Sequence, residues 1–143
     1  MVELMATLCC GLFAGAAVYI SLVEHPARMV CGTGLAATEF VPSYKRAAVM
    51  QASLAVLGLL LSLMAWRLSG RAPWAVGGVV LGAVVPFTLL VLRPTNDALL
   101  DPALDRDSER ARTLLERWAR LHAVRSVVSL VAFAVLLWAH GTW

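Results

Sequence analysis

Apolar residues fall into four long runs along the chain, at 4–23, 47–66, 74–92 and about 123–139. An α-helix crosses about 30 Å of hydrocarbon with about 20 residues, so each run approaches the length of a membrane span. None alternates apolar with polar positions as a barrel strand does, and lipid leaves no backbone amide unpaired. The pattern therefore predicts an all-α membrane four-helix bundle, with residues 1–143 forming a single four-span domain.

The polar stretches between the runs differ in kind. Residues 67–73 are few and include Gly70 and Pro73, a tight hairpin that makes the second and third helices antiparallel neighbours. Residues 24–46 and 93–121 are long, polar and on one face of the membrane, so a chemical site is most simply built there. In the second of these, charges of both signs alternate with Leu114, Leu115, Trp118 and Leu121 at helical spacing. This predicts an amphipathic juxtamembrane helix, capped near Asp107 or Ser108, that leads directly into the fourth span.

Composition sharpens the class. The chain is 60% hydrophobic and 15% charged, whereas a soluble domain is about 25% charged, which argues against a soluble enzyme, a disordered regulator or a nucleic-acid module. Twelve basic residues against nine acidic ones give a net charge of +3, with Lys45 the sole lysine. The basic residues sit between apolar runs and so reflect topology. More of them lie in 24–46 and 93–121 than in 67–73, which favours a cytoplasmic location for the long-connection face. Cys9, Cys10 and Cys31 have no metal-type spacing and read as small hydrophobes. The start Met1-Val2-Glu3 lacks the basic residues of a signal peptide, so the first run is expected to remain as a span.

Helix packing has local signals. Gly11 with Gly15, and Gly78 with Gly82, form small-xxx-small pairs that permit close backbone approach. Pro86 frees the Gly82 carbonyl, so a kink is expected in the third helix. Pro94 is expected to stop that helix, with Thr95-Asn96-Asp97 forming a turn. His140 and Trp143 read as interfacial belt residues.

Candidate chemistry lies where ionisable residues encroach on the apolar runs. The first run ends in Glu24-His25-Pro26-Ala27-Arg28. Two readings stand: an interfacial anchor with Glu24 paired to Arg28, or a carboxylate–imidazole pair at the mouth of a cavity. Asn96 emerges on the same face and can both donate to and accept from a bound oxygen group. Trp118, His122, Arg125 and Ser129 share one face of the fourth helix. Arg125 lies inside the apolar boundary with no acid nearby in its own helix, and Glu24 is its expected partner from another helix. His25, His122 and Glu24 match a non-haem iron ligand set in type, yet no His-x-x-His or Glu-x-x-His falls on one helix, and no metal site is predicted. Phosphate loops, nucleotide signatures and recognisable Ser or Cys nucleophiles do not occur.

Three segments together carry a family likeness: Glu24-His25-Pro26-Ala27-Arg28 after a Gly/Ala-rich first span, Thr95-Asn96-Asp97 after the third, and the stretch from Leu115 to Arg125 leading into the fourth. In order and spacing they resemble the anthrone oxygenase-like family of small four-helix integral membrane proteins, most of which are catalogued only as a domain of unknown function. The resemblance implies an O2-dependent monooxygenase that oxidises an anthrone-like or other lipophilic aromatic substrate by proton abstraction and oxyanion stabilisation, with no assigned flavin or haem. It implies His122 as general base, Arg125 as the charge balancing the oxyanion, Trp118 as an aromatic wall and Asn96 as a group orienting a carbonyl or phenol. Glu24 and His25 would relay protons or hold Arg125. No cofactor is expected. The expected partners are the lipid bilayer and a hydrophobic small molecule, not nucleic acid, with self-association left open. The competing reading is a non-enzymatic membrane scaffold or transport-associated subunit whose polar residues lock helices together. An enzyme requires the six residues to converge on one cavity, whereas a scaffold would scatter them toward headgroups.

Overall fold

The computed structural model describes residues 1–141; Trp143 lies outside the described residues. Four long helical rods make the bundle, at Val2–Val30, Thr33–Ser69, Ala72–Leu100 and Glu109–Gly141, each long and apolar enough to cross a membrane. No strand occurs among the described residues. The first rod comprises α1 (Val2–Tyr19), a π-helical turn at Ile20–Glu24 and α2 (His25–Val30). The second is the single helix α3 (Thr33–Ser69). The third comprises α4 (Ala72–Gly82), α5 (Val84–Phe87), a π-helical turn at Thr88–Leu92 and α6 (Arg93–Leu100), and the fourth is α7 (Glu109–Gly141). Leucine and valine crowd the outer surface, Leu4, Leu12, Leu60, Val79 and Val127 among them, as expected of a surface facing hydrocarbon.

The rods extend well beyond the apolar runs. Residues 24–46 are helical apart from a break at Cys31 and Gly32, and 93–121 has its one irregular stretch at 101–108. The expectation that Pro94 stops the third helix is corrected: Pro94 stands in the first turn of α6, where a residue without an N–H costs little. Pro26 holds the same place in α2. Each of these two prolines follows a π-helical turn, and the looser register of those turns accommodates the lost ladder bond. Three residues before Pro86, the α-helix is interrupted at Ala83, between α4 and α5.

Close packing joins the rods. A methyl group on Gly78 would lie 2.5 Å from Ser62 Cβ, so this glycine sets the approach of α4 to α3. Gly15 has open space around it and takes no part in close packing. Gly70, at φ +70°, ends α3 and turns the chain into α4. The 101–108 loop is pinned by Arg106, whose Nη1 donates to the Ala37 carbonyl at 2.9 Å. Ser108 Oγ then accepts from the Ala111 amide at 3.2 Å and caps α7. Along the first turns of α7, Ala111, Leu115, Trp118 and His122 are buried while Arg112, Glu116, Arg117 and Arg120 face outward, as the amphipathic pattern requires.

Two apolar clusters fill the interior. One gathers Cys10, Phe13, Trp74, Leu81 and Leu136; the other gathers Ile20, Phe40, Leu92, Leu99, Leu115 and Trp118. Between them the bundle is not filled.

Candidate active site

The unfilled space is a cavity of about 220 Å³ whose wall takes residues from all four rods. Phe13, Ile20, Phe40, Val84, Val85 and Trp118 make most of it apolar. Set into that surface are Glu24, Arg28, Ser43, Tyr44, Gln51, Thr88, His122 and Arg125. Both π-helical turns contribute, Ile20 and Glu24 from one, Thr88 and Leu89 from the other. A groove between α1 and α3 reaches the cavity wall at Ile20, Glu24, Ser43 and Ala47.

Four of the six residues singled out from the sequence line this one cavity: Glu24, Trp118, His122 and Arg125. His25 and Asn96 are buried one layer behind it. His25 packs on Trp118, ring centroids 5.3 Å apart, and Asn96 Nδ2 donates to the Tyr44 hydroxyl at 3.2 Å. Asn96 thus supports a wall residue in place of meeting a ligand directly. Among the described residues no three His, Cys, Asp or Glu side chains gather as metal ligands, so Glu24, His25 and His122 do not form such a set.

His122 is held on two sides. Its ring stacks on Trp118, with centroids 4.6 Å apart and planes 23° from parallel, and Phe40 meets the same indole edge-on at 5.2 Å. Three polar contacts then run in series: His122 Nδ1 to Ser21 Oγ at 3.0 Å, Ser21 Oγ to Ser126 Oγ at 2.8 Å, and Ser126 Oγ to the Ala17 carbonyl at 2.9 Å. A carbonyl only accepts, so Ser126 donates to it; Ser126 must then accept from Ser21, and Ser21 from His122. Of the two neutral imidazole tautomers, the one with its hydrogen on Nδ1 satisfies all three contacts. That tautomer carries a lone pair on Nε2.

The expected pairing of Glu24 with Arg125 is corrected. Glu24 Oε1 accepts from Arg28 Nη2, one turn away in the same rod, and from Ser43 Oγ at 2.9 Å. Arg28 also meets Glu39 Oε2 at 2.9 Å from α3, so two carboxylates compensate its buried charge. The Arg125 guanidinium lies elsewhere, 5.5 Å from the Phe13 ring centroid, and Phe13 precedes Glu24 by about three helical turns or roughly 16 Å of rise. Its Nη2 donates to Gln51 Oε1 at 2.7 Å. Gln51 was not singled out from the sequence, although it carries the one amide, and no charge accompanies it, in the 47–66 run. An amide alone in a membrane span is the signal that would have found it.

Fold and site together define a membrane four-helix bundle that encloses an aromatic-walled cavity carrying an oriented imidazole and a buried guanidinium. The family model for anthrone oxygenase matches residues 40–135, which include Tyr44, Gln51, Asn96, Trp118, His122 and Arg125. Anthrone oxygenase tpcL of Aspergillus fumigatus is 36% identical over 125 residues, covering 78% of this chain and 76% of that protein. Anthrone oxygenase ptaC of Pestalotiopsis fici is 36% identical over 83 residues, covering 50% of this chain and 59% of that protein. No solved structure matches the chain. The chain belongs to the anthrone oxygenase family, and its function at family level is of the oxygenase type.

Proposed function

We propose that the protein oxidises a planar, reduced aromatic of the anthrone class with O2, inside the cavity between its four spans. The observation that carries this reading is the convergence of Glu24, Trp118, His122 and Arg125 on one largely apolar cavity in a member of this family. A scaffold would use such residues to tie helices together or to meet headgroups, and would have no need of a space between them.

In this reading the substrate lies against Trp118, and the His122 Nε2 lone pair takes a proton from the methylene carbon. The electron pair left behind delocalises onto the conjugated ring oxygen, where Arg125 balances the charge. The carbanion adds O2 to give a hydroperoxide, which loses water as the carbon becomes a carbonyl. One methylene and one O2 thus yield one ketone and one water. The substrate supplies the electrons, so the balance closes with no added reductant or redox cofactor. A lipophilic substrate reaches the cavity by the groove between α1 and α3. The end of the bundle that carries residues 24–46 and 93–121 faces the cytoplasm, as its basic residues favour.

The test is oxygen consumption by the detergent-purified protein with a reduced anthrone, preceded by a visible spectrum and metal analysis. Removing a general base costs about 10²–10⁴-fold, so His122→Ala is expected to lose nearly all turnover. Wild-type turnover in that variant removes His122 from the mechanism. A Soret band or stoichiometric iron or copper overturns the cofactor-free chemistry.

A further inference from the structure

Gln51 and Arg125, paired with each other on the cavity wall, both hold hydrogen-bond donors that meet no acceptor. Arginine only donates, so Gln51 must turn its amide oxygen to Arg125, and the contact at 2.7 Å fixes the amide orientation. Its Nε2 is then buried without a partner in a side chain only 2% exposed. Arg125 Nε is buried without an acceptor as well. The Gln51 oxygen, the one acceptor this pair contains, is already engaged, so what the pair itself still offers is donors and positive charge.

Nothing nearby neutralises that charge. Among the described residues no carboxylate lies within ion-pair distance of Arg125, and the one carboxylate on the cavity wall is engaged by Arg28 and Ser43. Phe13 offers its ring face. A buried donor left unpaired costs about 1–3 kcal/mol, and hydrogen bonds to an ionised oxygen are about twice as strong as neutral ones. An anionic oxygen supplies what the pair lacks in both respects, and an apolar ligand supplies neither.

We propose that Gln51 and Arg125 form a subsite for an ionised oxygen on an aromatic ring. It selects hydroxyaromatics and enolisable aromatic ketones, which can ionise at that oxygen, over aromatics of equal size that cannot. This rests on the reading of the cavity as an aromatic-binding site and adds the substrate feature it recognises. Gln51 positions the guanidinium through its amide oxygen and reaches the ligand through its amide nitrogen.

The experiment uses ligands that cannot be turned over, so that recognition is read apart from oxidation. 2-Hydroxyanthraquinone carries one ionisable phenol, anthraquinone carries none, and neither has a methylene carbon to oxidise. Bound to the purified wild-type protein, the hydroxy compound should show its phenolate band at a pH about one unit below that in empty micelles of the same detergent. It should also bind about tenfold tighter than anthraquinone. Gln51→Leu is expected to lose most of the band shift and the preference while still binding anthraquinone. Gln51→Glu keeps an oxygen for Arg125 and so keeps the guanidinium in place, but neutralises it; this variant should bind anthraquinone normally and show no phenolate shift. A wild type without the shift, or a shift that survives in both variants, overturns the subsite. Turnover of an anthrone together with no shift overturns the subsite alone, whereas a shift without turnover supports the subsite and counts against the oxygenase reading. Failure of the wild type to bind either compound overturns both.

Discussion

Replacing Ser126 with alanine tests the direction of the hydrogen-bond series that orients His122. In the wild type, the tautomer with its hydrogen on Nδ1 makes three bonds: His122 to Ser21, Ser21 to Ser126, and Ser126 to the Ala17 carbonyl. The other tautomer makes two, because Ser21 must give its hydrogen to Nδ1, and Ser126 can then serve either Ser21 or the carbonyl but not both. A buried hydrogen bond is worth about 1 kcal/mol net, so the tautomer with Nε2 free to accept a proton is favoured about fivefold. Without the Ser126 hydroxyl each tautomer keeps one bond, between His122 and Ser21, and the two become about equally populated. Turnover should therefore fall by less than about twofold, far less than the loss expected on removing the imidazole itself. The decisive assay is the ¹⁵N spectrum of protein labelled at its three histidines, with the His122 signals assigned from their loss in His122→Ala. Wild type should show one protonated and one unprotonated ring nitrogen, and Ser126→Ala should draw the two signals toward each other. A wild-type spectrum with the hydrogen on Nε2, or a tautomer ratio unmoved by Ser126→Ala, refutes the reasoning.

Three further outcomes follow from the packing and the charges. Arg28→Met leaves Glu24 and Glu39 without their shared cation; both carboxylates keep some solvent contact, so the loss should be about 1–3 kcal/mol, read as a lower unfolding temperature in detergent. Gly78→Ala forces a methyl group to within 2.5 Å of Ser62 Cβ and should cost about 1–3 kcal/mol, whereas Gly15→Ala meets open space and should not destabilise; equal thermal shifts would contradict the packing. Cys31 is exposed at the end of α2 and reports sidedness. With that end cytoplasmic, a membrane-impermeant maleimide labels it in inverted vesicles and not in intact cells, with Cys31→Ser as the blank, and labelling of intact cells reverses the orientation.

What could be read from the sequence divides along a physical line between the solvent and the register. Lipid imposes its requirement on each residue separately, so the four spans, and the ionisable residues that violate them, are visible one position at a time. Glu24, His122 and Arg125 stand out for that reason, and Trp118 follows from helical spacing on the same face as His122. Which residue meets which depends on how far one rod slides along another, and no single run encodes that offset. Arg125 therefore was expected to meet Glu24 and instead meets Gln51, about three turns deeper, while Glu24 takes the partner one turn away in its own rod. The helical path of residues 24–46 and 93–100 was hidden by a related cause. Pro94 in an isolated sequence reads as a stop, but a preceding π-helical turn places it, like Pro26, in a first turn where the missing N–H does little harm. Those same turns bring Glu24 and Thr88 onto the cavity wall, so the two irregularities that obscured the fold are part of what shapes the site.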